Sequence, residues 1–202
     1  MKNTITSKDK GYSLIELIIV IAIIAIVSAM SLVSMTIINS ARAKDAALAF
    51  NSEVSELITK NKNMIPNVPG ASGGKSETAK FGLMLYYEDG NYKVSQVDCD
   101  LYGSGFYKYV LDGSNVKLNE TITLSKKVDV KFTGTYSSFM NGSVETKTNF
   151  KPLNLNSNGA VCVMFDKRGH CISGYGTYEF CKRNGNAVSR VTIKQNGSVV
   201  VK

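Results

Sequence analysis

One histidine and three prolines in 202 residues narrow the field before any motif is sought. With His170 alone, a histidine-rich metal site lacks its material. No Gly-rich phosphate loop is present, and no nucleophile has an evident base. The gaps between Cys162, Cys171 and Cys181 are too long for a CxxC redox motif or a zinc ribbon. The chain is therefore expected not to be an enzyme, with no metal and no cofactor. All three prolines, Pro66, Pro69 and Pro152, come after residue 64, so nothing in the first third of the chain forbids a long helix. Charge is scarce where that helix would begin: from Leu14 to Ile38 the only ionisable side chain is Glu16.

What is there is an apolar run, GYSLIELIIVIAIIAIVSAMSLVSMTII, from Gly11 to Ile38. Leu14 to Ile38 gives roughly 25 helical residues at ~1.5 Å each, enough to cross a hydrocarbon layer ~30 Å thick. A carboxylate deep in such a layer costs on the order of 3 kcal/mol even on lenient scales, so Glu16 needs a partner. Cutting the chain after Gly11 would create one. The new α-amino group on Tyr12 lies four residues before Glu16, and in a packed array of such helices the carboxylate of one could meet the amine of the next. Paired, the two charges offset much of each other's desolvation cost; a register slip leaves both buried and alone.

Gly11-Tyr12-Ser13-Leu14-Ile15-Glu16-Leu17 resembles the prepilin motif of type IV pilins and pseudopilins. A short charged leader ends in Gly, an aromatic residue opens the mature chain, and Glu comes fifth in it. The resemblance implies cleavage at Gly11–Tyr12 by a prepilin peptidase, N-methylation of Tyr12, and a register-setting role for Glu16 in subunit pairing. Its implied partners are other pilin subunits in a helical homo- or hetero-polymer, the peptidase, and an inner-membrane assembly platform with its ATPase. The sequence opens its mature part with Tyr where Phe is commonest, and no Pro breaks the apolar run. Two other readings start from the same run. A secretory signal peptide has an apolar core of only ~7–15 residues, shorter than this one. A plain signal anchor fits the length but accounts for neither Glu16 nor the Gly11-Tyr12 junction.

The order of the chain follows from there. Residues 1–11 form the leader, whose Lys2, Lys8 and Lys10 against Asp9 agree with a cytoplasmic start, although Arg42 and Lys44 close behind the span leave charge a weak guide to orientation. Residues 12–38 form the transmembrane or filament-core half of a helix. In residues 39–64, Ala43, Ala47, Phe50, Val54, Leu57 and Ile58 recur at intervals of three and four, an apolar stripe for packing. Glu56 and Lys60 stand as a favourable (i, i+4) pair. The helix is expected from about Ser13 to Asn63, ahead of a loop at Pro66, Pro69-Gly70 and Gly73-Gly74. Residues 65–202 make a β-rich globular head closed by a C-terminal hairpin.

In the head the period shifts towards two. Leu83–Tyr87 and Tyr92–Val97 flank Glu88-Asp89-Gly90-Asn91, a hairpin signal; further strands are expected at Phe106–Leu111, Thr121–Leu124, Val128–Phe132 and Val161–Asp166. Arg190–Lys194 and Ser198–Val201 around Asn196-Gly197 read as a second hairpin. Gly134 to Asn158, rich in Ser, Thr, Asn and Gly, reads as an irregular loop. A helix first and antiparallel strands after it predict an α+β fold, the long N-terminal helix packed on a sheet. The closing strand-turn-hairpin, Val161–Gly169 then Val191–Val201, is similar to the C-terminal sheet of small minor pseudopilins and minor pilins.

Two features of the head invite functional readings. Cys99, Cys162, Cys171 and Cys181 are an even set, and for a head outside the cytoplasm they are candidate disulfides with three full connectivities; buried thiols are the alternative. Residues 160–202 carry seven basic side chains against Asp166 and Glu179. Lys167, Arg168, Lys182, Arg183, Arg190 and Lys194 are candidate contacts for DNA or another anion, as in minor pilins that this chain resembles, although a solvated face is the commoner meaning of such a run. The expected function is thus a structural subunit, held in the membrane as a single-pass precursor with its head outside the cytoplasm and later part of a surface pilus or pseudopilus. The alternatives are a DNA- or ligand-binding minor pilin and an anchored head that does not polymerise.

Overall fold

A computed structural model describes residues 12–64, 81–101, 107–109, 111–112, 115–137, 144–152, 159–182 and 185–202. The leader with Gly11, the loop expected at Pro66 to Gly74, and Arg183 lie outside the described residues. The chain divides into two compact units, Met1–Ile38 and Asn39–Lys202. Helix α1, Leu14–Met64, runs through both. Its N-terminal part is the one helix, among the described residues, that is long and apolar enough to cross a membrane, with a mean hydropathy of 2.9 over its best window.

The strands of the second unit are β1 (Phe81–Glu88), β2 (Asn91–Leu101), β3 (Tyr107–Tyr109), β4 (Leu111–Asp112), β5 (Asn115–Val116), β6 (Leu118–Thr123), β7 (Val128–Ser137), β8 (Val144–Phe150), β9 (Val161–Phe165), β10 (Cys171–Ser173), β11 (Tyr175–Lys182), β12 (Ala187–Ile193) and β13 (Val199–Val201). They form two antiparallel sheets and a small β4–β5 ribbon. The first sheet runs β10-β9-β1-β2-β3, with β6 also paired to β2; the second runs β13-β12-β11-β7-β8. The fold is the expected α+β arrangement of a long helix and antiparallel sheets. The β1–β2 hairpin forms where the sequence places it, pairing Glu88 with Asn91. Asp89 and Gly90 both take positive φ, 52° and 77°, the requirement of the tight turn that matches strand twist.

The core joins the helix stripe to both sheets. Ala43, Ala46, Ala47, Phe50, Val54 and Leu57 are buried, and the small alanines let the strands come close. Phe50 is the centrepiece, its ring centroid 4.7 Å from Tyr178 and 5.7 Å from Phe180. Polar links fix the register between layers. Lys60 Nζ donates to buried Gln96 Oε1 at 2.6 Å, and Gln96 Nε2 donates to Glu56 Oε1 at 3.2 Å, so the predicted Glu56–Lys60 pair is also a clamp on β2. At the helix end, fully buried Asn61 donates from Nδ2 to the carbonyls of Phe81 and Phe165 and accepts from the Phe81 N–H. Tyr178, also fully buried, donates its hydroxyl to the Gly174 carbonyl at 2.6 Å. Tyr178→Phe is expected to lower unfolding stability by about 1–2 kcal/mol, the cost of that bond and of its abandoned acceptor, at an unchanged far-UV spectrum. Urea unfolding reads it directly.

Two parts of the expected strand map are corrected. The stretch read as an irregular loop contains the end of β7 and the whole of β8, whose Thr135 faces Thr146 and Tyr136 faces Glu145. Strand β8 is a sheet edge, and its sequence VETKTNF is exposed or half-buried throughout, so it shows no apolar alternation. Strands β10 and β11 were not expected at all. Glycines at 174 and 176 interrupt their pattern, yet both lie at positive φ, where a β-carbon at either would run into the neighbouring backbone.

Candidate functional site

The first candidate is the start of α1. Tyr12 and Ser13 precede the helix, and Glu16 sits in its first turn. The backbone N–H of Ser13 donates to Glu16 Oε2 at 2.9 Å, while the Ser13 carbonyl accepts the first helical bond from Leu17 at 3.2 Å. This is the carboxylate half of a capping box, and it satisfies a donor that the helix would otherwise leave open. A negative group in the first turn also suits the positive end of the helix dipole. Sequence reasoning assigned Glu16 a partner on another chain and missed the one on its own, although Ser13-x-x-Glu16 is the standard signal. The large apolar side chains described along this segment are open, from Tyr12 at 90% exposed to Ile38 at 49%.

The head offers the second set. All four cysteines are buried thiols, so the predicted disulfides are not formed. Strand order supplies the reason for one pairing. Cys99 lies on β2 and Cys162 on β9, with β1 between them and the two staggered to opposite sides of Gly82, which sets their Cα atoms more than two strand spacings, about 9.5 Å, apart. A disulfide spans at most ~7 Å. Cys171 belongs to the core under the helix, whereas Cys99 and Cys162 belong to a smaller apolar cluster. Cys181 lies in the second sheet, opposite Asp129.

The basic residues do not gather. Lys167 and Arg168 lie in the turn after β9, beside the β12–β13 turn that follows Lys194: a β-carbon on Gly197 would overlap the Gly169 carbonyl. Lys182 faces Val128 at one end of β11, while Ile193, the neighbour of Lys194, faces Gly176 at the other. Six residues of strand separate those ends, about 20 Å. Arg190 is engaged by Glu179, with Nε 2.7 Å from Oε1. The five described candidates thus fall into separate groups; Arg183 lies outside the described residues.

An open cleft of about 550 Å³ is lined by Asp166, His170, Cys171, Ile172, Gln195 and Asn196. His170 Nδ1 is 3.3 Å from Asp166 Oδ2, and the His170 N–H donates to Asp166 Oδ1 at 2.7 Å, which closes the turn. The neighbouring thiol is held protonated. Burial pushes Cys171 up to about 12, and its sulphur donates to the Ser173 carbonyl at 3.1 Å. Among the described residues no three His, Cys, Asp or Glu side chains converge as a metal site.

A family model described as the prokaryotic N-terminal methylation motif matches residues 6–32. This is the signature of type IV prepilins, and it covers the Gly11-Tyr12 junction, Glu16 and most of the apolar run. The head lies outside the matched residues. Comparison with curated proteins and with solved structures returns no match.

Proposed function

We propose that the chain is a type IV pilin-like structural subunit, cleaved after Gly11, methylated on Tyr12 and polymerised through α1 into a surface pilus or pseudopilus. The observation that carries this reading is the methylation motif at residues 6–32, joined to an exposed apolar helix segment with a single carboxylate near its start. Before assembly the helix holds the subunit in the membrane, head outside the cytoplasm. Assembly then exchanges lipid for neighbouring helices. Lipid tails are about as apolar as Leu, so that exchange has little hydrophobic driving force, and packing, Glu16 pairing and an ATP-driven platform must supply the rest.

The test is mass spectrometry of the N-terminal peptide in sheared surface material and in membranes of the native cell. A peptide opening at methylated Tyr12 in the sheared fraction is the expected result, and its abundance separates a major from a minor subunit. A chain still opening at Met1 and confined to membranes would replace the proposal with a plain anchored head.

A further inference from the structure

The smaller apolar cluster is rich in sulphur. Met84, Cys99, Cys162 and Met164 are all buried there, on the face of the first sheet that also carries Tyr86 and Val97. The register brings them around one residue without a side chain. Gly82 on β1 faces Val97 on β2 and Met164 on β9, with Cys99 two residues beyond Val97 and Cys162 two residues before Met164. A β-carbon at Gly82 would lie 3.0 Å from the sulphur of Cys99, 3.0 Å from that of Cys162 and 3.4 Å from Met164 Cγ. The two thiol sulphurs are therefore no more than twice that distance apart, and both border the space that glycine leaves.

That separation has a chemical meaning. The intervening strand holds the two backbones too far apart for a disulfide, as shown above. An ion between the sulphurs extends their reach: two metal–thiolate bonds of about 2.3 Å span about 4.6 Å, against ~2.05 Å for a direct S–S bond. The donors also select the ion. Two thiols and a neighbouring thioether are soft, and among the described residues no imidazole or carboxylate completes a fourfold set, so a low-coordinate univalent soft ion is better served there than zinc or a hard cation. Charge agrees: one thiolate on a univalent cation is neutral, the state that a dry core tolerates.

We infer that Cys99 and Cys162, with Met164 beside them, form a buried site for a univalent soft metal ion of the Cu(I) class, opened by Gly82. Loading replaces a thiol proton by the ion, so each ion bound releases at least one proton to solvent, with no change of oxidation state. The cysteines stand 63 positions apart in sequence, so no spacing motif could disclose them.

The test uses the full-length chain, reduced and in detergent, titrated anaerobically with Cu(I) against bicinchoninate. One ion per chain is expected, with a first shell of sulphur only by X-ray absorption at the copper edge. Cys99→Ala, Cys162→Ala and Gly82→Ala should each weaken binding by at least about tenfold, since even outer partners of a metal commonly matter that much; Cys181→Ala, on the other sheet, should leave it unchanged. Gly82→Ala is the sharpest variant because it keeps every thiol. If the cysteine variants fail to fold, the absorption spectrum of the unaltered chain decides. Absence of stoichiometric binding, a nitrogen or oxygen shell, or binding that survives Cys162→Ala or Gly82→Ala would overturn the site.

Discussion

Glu16→Ala is expected to leave the chain inserted and cleaved at Gly11–Tyr12 but to reduce its entry into filaments on the order of 100-fold. Removing one partner of a buried ion pair typically costs ~3–5 kcal/mol, because the other charge stays buried, and ~3 kcal/mol is already about two orders of magnitude in an equilibrium. The readout is the ratio of subunit in sheared filaments to subunit in membranes, with the N-terminal peptide identified in both. The bond from the Ser13 N–H to Glu16 adds a second role that the alanine variant also removes, so Glu16→Gln separates the two. Gln serves at this position of a capping box but carries no charge. If incorporation fails in Glu16→Gln as it does in Glu16→Ala, the charge is what matters; if Gln restores it, helix capping is. Wild-type incorporation of Glu16→Ala would remove the pairing role altogether.

The largest stability effect from a single polar side chain is expected at Asn61. Its amide ties the last turns of α1 to the start of β1 and the end of β9 through three hydrogen bonds of 3.0, 3.2 and 3.2 Å. One of them is wholly buried, and Asn61 itself is inaccessible to water. Asn61→Ala deletes all three and opens a cavity in their place. At ~1 kcal/mol per bond the loss is about 3 kcal/mol, measured as a lower urea midpoint at unchanged slope. Asn61→Asp keeps the size and one acceptor but loses both N–H donors, so it should recover little of that loss. A midpoint within error of the wild type for Asn61→Ala would show that the helix end is held by apolar packing alone.

Much of this architecture was legible in the sequence. The helix was, because Phe50, Val54 and Leu57 repeat at helical spacing and no proline intervenes, and all three are buried as that spacing predicts. The β1–β2 hairpin was legible through Asp89-Gly90. Strand β8 was not: an edge strand whose half-buried face carries Glu145 and Lys147 before Phe150 lacks the apolar alternation that betrays a strand. Nor was the fate of the basic tail. Residues clustered along the chain are carried to opposite ends of β11 by antiparallel pairing, so Lys182 and Lys194 are close in sequence and far apart in the sheet. The cysteines fail for the same reason. Even numbers point to bridges, but strand order decides which sulphurs meet, and here it interposes β1. The Ser13–Glu16 cap is a different kind of miss, since its signal stood in plain view beside a stronger one.

The pairing of β1 with β9 bears on how the head comes into being. Leu83 is opposite Val163, and Leu85 is opposite Val161, so the first sheet cannot be completed until most of the chain is available. Folds dominated by such distant partners form slowly, because loop closure precedes the contacts that reward it. Until β9 arrives, one edge of β1 stands open with its apolar residues bare, the sort of edge that recruits a neighbouring chain. A ribosome pause or a nonsense change before Val161 therefore does more than trim the head. It leaves a tethered intermediate with an unclosed sheet, and its hazard is association with its own kind rather than simple loss of a strand.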